Sequence, residues 1–342
     1  MPPSLVVCVP ARDERAMMPR LLACLAAQRG APPFGVLLLA NNCRDGTAAA
    51  ARQAAAALPD LRLRILEQEF PPGLAHAGSA RRAAMAAGAA WLREAEAGAG
   101  LLVSTDADAA PPPGWLAAIA GAVAAGADCV GGRILAEDTE ENPLPPPIRR
   151  MNQRIQRYWS AVRAVSDAID PVAHDPAPRH GDHVGASLAV TLAVFAAVGG
   201  VPPLPSGEDL ALVAAIEAAG GRVRHDPAVW LPVSARRQGR AEAGMAAEMQ
   251  RWLTAEAQGP YLLPAAGFWA AQARQRRQIR QAHGGDPAAL AQALGLQALE
   301  AAAAASGNDI AFVARVTALL PRAAPPQQEI TAATLALEAM LA

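Results

Sequence analysis

Three short apolar runs, Leu5–Val9, Val36–Ala40 and Leu101–Thr105, are separated by stretches with helical spacing. A strand that is apolar on both faces must be covered on both faces, and helices between successive strands supply that cover. The chain therefore reads as α/β, with a mostly parallel sheet flanked by helices. Leu21, Leu22 and Leu25, the Ala-rich stretch Thr47–Leu58 and the stretch Ala77–Ala97 provide the helices. Leu61–Leu66 alternates with Arg62 and Arg64, as a strand with one polar face does. Ligands on such sheets bind at the carboxyl ends of the strands. Here those ends are Pro10-Ala11-Arg12-Asp13-Glu14, Asn41–Asp45 and Asp106-Ala107-Asp108, all polar and rich in carboxylates.

The pattern degrades over residues 136–182, where prolines and charges surround a helical stretch at Arg149–Ala168. This reads as a mobile insertion rather than core. Strand and helix patterns return at Val184–Val190, Leu192–Val198, Asp209–Ala219 and Arg222–Leu231. Beyond Ala241 only helical periods remain, with an apolar stripe at Phe312, Val313, Val316, Leu319 and Leu320. The expected organisation is an α/β domain over residues 1–240 and an α-helical C-terminal region over 241–342. Those last helices are expected to pack on one another or on a second copy of the chain, a homo-oligomer.

Composition excludes several chemistries. The 342 residues carry a net charge of −1, with 30 basic against 31 acidic side chains, so no global field favours nucleic acid. Every basic side chain other than histidine is Arg; the sequence has no Lys. Schiff-base catalysis, pyridoxal phosphate chemistry and a P-loop all need one. A GC-rich coding sequence explains the missing Lys without any functional cause. Cys8, Cys24, Cys43 and Cys129 form no close pair and no zinc spacing. They suit a reducing cytoplasm, and the run Leu5–Val9 is too short for a signal peptide. Two uncharged stretches, Ala109–Ala127 and Val184–Ser206, are interrupted by Pro and Gly and read as non-spanning.

Asp106 and Asp108 follow a buried strand, and two carboxylates one residue apart can share a divalent cation or divide a cation and a ribose between them. A solvated turn is the bland alternative. Ser206-Gly207-Glu208-Asp209 fits a capping box at a helix start, and also fits a general base, Asp209, supported by Glu208. Arg236, Arg237 and Arg240 can clamp diphosphate oxygens or simply rim a solvated turn. Arg274, Arg276, Arg277 and Arg280 read as the solvated face of a helix. His76, Arg81 and Arg82 flank a small-residue helix start suited to phosphate, and His180 with His183 reads as a polar loop pair.

In order, Val-Pro-Ala-Arg-Asp-Glu, Asn-Asn-Cys-Arg-Asp-Gly-Thr, Gly-Ser-Ala-Arg-Arg, Thr-Asp-Ala-Asp, Gly-Ala-Ser-Leu-Ala-Val, Gly-Glu-Asp and Ser-Ala-Arg-Arg-Gln-Gly-Arg resemble the pieces of a family 2 glycosyltransferase of the GT-A (Rossmann-like) fold. The resemblance runs from about Pro3 to about Arg251. It implies inverting transfer of a sugar from a nucleoside-diphosphate sugar to an acceptor hydroxyl, with Mn²⁺ or Mg²⁺ as cofactor. It implies that Asp106 and Asp108 bind the ribose and the metal, that Asp209 is the base, and that Arg236, Arg237 and Arg240 meet the diphosphate. Pro10, Arg12, Glu14, Asn41, Asn42, Asp45 and Arg81 would then contact the nucleotide. Asn41 and Asn42 stand where many relatives carry acids, which leaves the nucleobase open. The Gln-x-x-Arg-Trp loop of processive polymerases is absent, so a single transfer per encounter is expected. The acceptor, a small molecule or a glycan, is left unknown. The alternatives are a sugar-nucleotide nucleotidyltransferase and a non-catalytic sugar-nucleotide-binding scaffold.

Overall fold

The computed structural model describes residues 2–140, 143–236, 245–321 and 323–342. The chain folds as two compact units. The first comprises residues 2–136, Gly181–Glu217 and Gly221–Ser234; the second comprises the described residues of Glu137–His180, Ala218–Gly220 and Ala235–Ala342.

The first unit begins β1 (Leu5–Ala11), α1 (Met18–Ala26), β2 (Phe34–Asn41), α2 (Thr47–Ala56), β3 (Leu63–Gln68), α3 (Ala77–Glu94) and β4 (Leu101–Thr105). It continues with α4 (Trp115–Ala124), β5 (Cys129–Gly131) and β6 (Arg133–Ala136). After the excursion containing α5 (Pro146–Ile169), the chain returns as β7 (Ser187–Thr191), α6 (Leu192–Ala197), α7 (Glu208–Ala218), β8 (Val223–Arg224) and β9 (Trp230–Val233).

Seven strands form one sheet in the order β3-β2-β1-β4-β7-β5-β8. It is mostly parallel: β7 alone runs against its neighbours, pairing Leu101 with Thr191 and Thr105 with Ser187. The start of β7 therefore lies beside the carboxyl end of β4. A separate parallel pair, β6 with β9, stands next to an isolated bridge between Ala109 and Val233.

The continuous apolar runs are explained by burial on both sides. Leu5, Val7 and Val9 pack with Met18, Leu21 and Trp115 on one face of the sheet. Val6 and Cys8 pack with Ala84, Met85 and Leu212 on the other. All of these side chains are essentially inaccessible, and burial pushes the Cys8 thiol pKa far above its ordinary value. This is the mostly parallel α/β sheet, flanked by helices, that the sequence pattern predicts.

In the second unit α5 is joined by α8 (Met245–Gln258), β10 (Leu262–Pro264), α9 (Ala266–His283), α10 (Pro287–Leu294), α11 (Ala298–Ala304), α12 (Asp309–Leu319), β11 (Gln327–Glu329) and α13 (Ile330–Ala339). The expectation of helices alone beyond Ala241 needs a correction, because β10 and β11 pair antiparallel. Three-residue strands are too short to show a period. Phe312 and Val316 are fully buried with Ile279 and Leu299, as the stripe predicts, while Leu319 is exposed.

Arg280 corrects a second reading. It is not on a solvated face: it bonds both oxygens of Asp170, which is buried, and also pairs with Asp309. The residues after α5 are likewise tied down, with Arg179 bonding Asp167 at 2.7 Å and Asp175 at 3.0 Å. Among the described residues, no helix is long and apolar enough to cross a membrane.

Candidate active site

Arg81, one turn into α3, is buried with 7 % of its surface exposed. Small residues before it allow the approach. A Cβ at Gly78 would stand 1.8 Å from the Leu204 carbonyl oxygen, so only glycine lets α3 reach the segment ahead of α7. The guanidinium then makes four bonds. Its Nε donates to Glu208 Oε1 at 2.9 Å, and one terminal nitrogen donates to Ser104 Oγ at 2.6 Å and to the Gly185 carbonyl at 2.7 Å. The other terminal nitrogen donates to Asp106 Oδ1 at 3.0 Å. Burial lowers the Arg81 pKa, but the charges and hydrogen bonds of Asp106 and Glu208 outweigh it and hold the pKa above its ordinary value.

Gly185 is the second knot. Its carbonyl receives Arg81, and its N–H donates to Asp209 Oδ2 at 2.7 Å. A Cβ there would stand 2.2 Å from the Arg81 guanidinium carbon. The other Asp209 oxygen accepts the Leu210 N–H at 2.8 Å. The Ser206–Asp209 spacing suggests a capping box, yet this carboxylate reaches across to the lead-in of β7. Asp106, Glu208 and Asp209 are thus brought together through Arg81 and Gly185. Glu208 is buried, while Asp106 and Asp209 are half-exposed.

Asp106 and Asp108 sit in a turn in which Ala107 and Ala109 are buried and the two carboxylate residues are not. The turn is pinned by the Ser234 N–H, which donates to the Asp108 carbonyl at 3.1 Å. Two half-exposed carboxylates one residue apart suit a divalent cation that takes its other ligands from phosphate oxygens. With Oδ1 engaged by Arg81, Asp106 offers its second oxygen.

The ends of β1 and β2 form a neighbouring set, because β1 pairs with both β2 and β4. Asp13 and Asn42 adopt positive φ, of 50° and 48°. The Asp13 carboxylate accepts the Arg44 N–H at 2.7 Å, and Asp45 accepts the Arg15 N–H at 2.8 Å. Glu14 is buried, with its N–H on Thr47 Oγ1 at 2.9 Å. Burial raises the Asp45 pKa, but hydrogen bonds from Thr47 and Arg15 outweigh it and hold the carboxyl below the usual range.

The Asn42 amide donates to the Phe70 carbonyl at 2.9 Å and accepts the Phe70 N–H at 3.2 Å, so it reads protein backbone on both sides. Asn41 is buried at the end of β2 and Pro10 is half-buried on β1. Arg12 donates to the Ala75 carbonyl at 2.9 Å.

Not every expected residue joins these sets. Arg236 falls in the second unit, and Arg237 and Arg240 lie outside the described residues. His76 caps α3, accepting the Ser79 N–H at 3.2 Å. His183 bonds His225 at 3.0 Å in the first unit, whereas His180 belongs to the second. Sequence reasoning missed Ser104 and Gly185, which carry no local signal. It also missed the association of Asp13, Cys43 and Asp45, whose potential ligand atoms lie within 4.8 Å of one another. The Asp13 N–H donates to Cys43 Sγ at 3.4 Å, and that thiol donates to the Ala11 carbonyl. These bonds lace two loops together.

The sequence model of the family described as Glycosyl transferase family 2 matches residues 6–169. Residues 6–169 thus carry a family 2 glycosyltransferase domain. The match takes in β1 to β4 and the Asp106–Asp108 turn of this glycosyltransferase; the Glu208–Asp209 turn lies beyond it.

Among solved structures, the mannosyltransferase PcManGT from Pyrobaculum calidifontis, in complex with GDP-Man and Mn²⁺, is 21 % identical with a TM-score of 0.46. That likeness covers 93 % of this chain and 80 % of that one. S. aureus TarS 1–349 in complex with UDP is 17 % identical at a TM-score of 0.45, over 92 % and 83 % of the two chains. Glucosyl-3-phosphoglycerate synthase from Mycobacterium tuberculosis, with Mn²⁺, uridine diphosphate and glucosyl-3-phosphoglycerate, is 12 % identical at 0.42, over 75 % and 81 %. A sequence comparison with curated proteins finds no match.

Proposed function

We propose that this glycosyltransferase moves one sugar per encounter from a nucleoside-diphosphate donor to an acceptor hydroxyl, with inversion and with a divalent cation. The observation that carries this reading is the buried Arg81, which ties Asp106 on the donor side to the Glu208–Asp209 turn on the other. A donor-binding acid and a candidate base are thereby held by one set of hydrogen bonds.

The chemistry needs each group. Asp209 takes the proton of the acceptor hydroxyl as that oxygen forms its bond to the anomeric carbon. The bond from that carbon to the diphosphate oxygen breaks on the opposite face, and the electron pair leaves with the nucleoside diphosphate. A Mn²⁺ or Mg²⁺ held by Asp106 and Asp108 would stabilise the charge developing on that leaving group. Arg236, Arg237 and Arg240 would add guanidinium contacts to it. Glu208 and Arg81 hold positions rather than protons.

The loops after β1 and β2, with Pro10, Arg12, Glu14, Asn41, Asn42 and Asp45, form the nucleotide side. Because the Asn42 amide is spent on Phe70, its backbone rather than its side chain is the part offered to a base. Residues 1–240 are the catalytic domain in this reading, with residues 136–182 as its acceptor-side insertion and 241–342 as a helical region available to a second copy. Four free cysteines suit the cytoplasm.

The test is a melting-temperature panel of GDP and UDP with and without Mn²⁺, followed by transfer from the matching donor. A ligand present at 100 times its Kd adds about 2.7 kcal/mol of stability. No Mn²⁺-dependent shift with any nucleoside diphosphate would refute the donor reading.

A further inference from the structure

Residues 181–186, which return the chain to the first unit, belong to no strand, yet they hold the candidate base. Gly185 is buried, and its N–H donates to Asp209 Oδ2 at 2.7 Å. Its carbonyl accepts from Arg81 and from Ser104 Oγ, each at 2.7 Å. Two residues earlier the same segment is fastened by a pair of imidazoles.

His183 Nδ1 and His225 Nε2 stand 3.0 Å apart, with ring centroids at 5.2 Å. His225 is buried and directly follows β8, the edge strand beside β5, while His183 is half-buried. A neutral imidazole has one N–H and one bare nitrogen, so one ring donates here and the other accepts. The two chains meet over a glycine. A Cβ at Gly131, the last residue of β5, would stand 2.3 Å from the Asp182 carbonyl oxygen and 3.0 Å from both His183 Cβ and His225 Cδ2. The returning segment, β5 and the end of β8 therefore touch at one point.

We propose that the His183–His225 bond positions Asp209, by fixing the approach of the returning segment to Gly185. The proposal rests on the reading of Asp209 as the base. Only Val184 separates His183 from Gly185, and its carbonyl accepts the Ser187 N–H at 3.0 Å in a tight turn. A shift at His183 has one residue in which to be absorbed before it reaches the amide that orients the carboxylate. A misplacement of about 1 Å at a reacting group costs about 10²-fold in rate. Neither imidazole needs to touch substrate, so both are positioning residues.

The first measurement is amide exchange at Gly185, read by NMR on the full chain at constant pH and without ligand. Asp209→Ala removes the acceptor of that N–H and sets the fully released rate. His183→Ala and His225→Ala are each expected to raise the Gly185 rate at least fivefold towards it, with Val7 and Leu38 in the sheet unchanged. His183→Asn and His225→Gln keep a polar atom where Nδ1 and Nε2 stand, and should stay within twofold of wild type. The second measurement is hydrolysis of UDP-glucose and GDP-mannose with Mn²⁺, in which water replaces the acceptor. The water oxygen bonds the anomeric carbon, the nucleoside diphosphate leaves, and the proton passes to Asp209. The alanine variants should lose at least tenfold in kcat at unchanged donor KM, and the amide variants should recover most of it.

Unchanged Gly185 exchange in either alanine variant overturns the proposal. So does equal acceleration at Val7 and Leu38, which is general loosening, or amide variants that behave as the alanine ones do. A raised donor KM at unchanged kcat also overturns it, assigning the pair to the nucleotide. Hydrolysis that is absent in wild type, or untouched in Asp209→Ala, bears on the proposed function alone, because the Gly185 exchange is read without substrate.

Discussion

The Nε–H of Arg81 donates to Glu208 Oε1 at 2.9 Å, joining α3 to the first turn of α7 across 127 positions of chain, and both side chains are buried. Arg81 also pairs with Asp106, but Glu208 meets its cation here, and without it a buried carboxylate would be left uncompensated. Removing one partner of such a pair strands the other's charge, typically at a cost of about 3–5 kcal/mol. Arg81→Leu should therefore lower unfolding stability by about that amount, measured in urea. A loss below about 1 kcal/mol would show that Glu208 finds other solvation.

Asp209→Asn retains an oxygen for the Gly185 N–H but no longer takes a proton. Stability should change by about 1 kcal/mol or less, the scale of one hydrogen bond. Transfer should fall by about 10²-fold or more, with nucleotide binding kept. Paired melting and rate measurements decide it; a near-normal rate would remove the base assignment.

For Asp108→Asn the expected loss is in the cation dependence. Nucleoside-diphosphate binding with Mn²⁺ should fall to the level seen without it, and the melting temperature of the apo chain should hold. Identical Mn²⁺ titrations for wild type and variant would count against Asp108 as a ligand.

Gly185→Ala places a methyl 2.2 Å from the Arg81 guanidinium carbon, so the guanidinium or the strand lead-in must shift. Overpacking of this kind costs about 1–3 kcal/mol. Because Asp209 hangs on the same residue, transfer should fall as well. A variant with wild-type stability and rate would mean that the segment moves freely.

His174 gives a pH prediction in the second unit. Burial lowers its pKa below the ordinary value of 6.5, with Arg280 and Arg179 acting in the same direction and Asp175 and Asp309 against it. A depressed pKa means that the unfolded chain binds the proton more tightly. The associated stability is present above about pH 6.5 and is lost as pH falls through the folded value. Wild type should therefore lose melting temperature between about pH 7 and pH 5.5, and His174→Gln should lose less over the same range. Parallel curves would exclude His174 as the source.

The parts legible in sequence are those whose partners are close along the chain or whose burial is symmetrical. Leu5–Val9 and Val36–Ala40 announce strands because both faces are covered. The carboxylates at their ends follow from strand direction. Ser104, Gly185 and Glu208 converge on one guanidinium from three separate segments, and no local pattern marks that convergence. Arg280 failed as a reading for the same reason: its carboxylate, Asp170, lies 110 residues away. The Ser206–Asp209 spacing misled in the opposite way, since a good local pattern was overridden by a distant backbone amide.

The direction of β7 has a consequence for how such an enzyme diversifies. The chain leaves the first unit after β6 and comes back to it at residues 181–186, beside the acid-bearing end of β4. Had β7 run parallel to β4, the same return would fall at the opposite end of the sheet, far from Asp106. Insertions and deletions in the excursion thus leave the pairing of Leu101 with Thr191 and of Thr105 with Ser187 in register, and with it the segment that stands beside Asp106. A lineage built this way can lengthen or shorten that detour without renegotiating the scaffold that carries its acids.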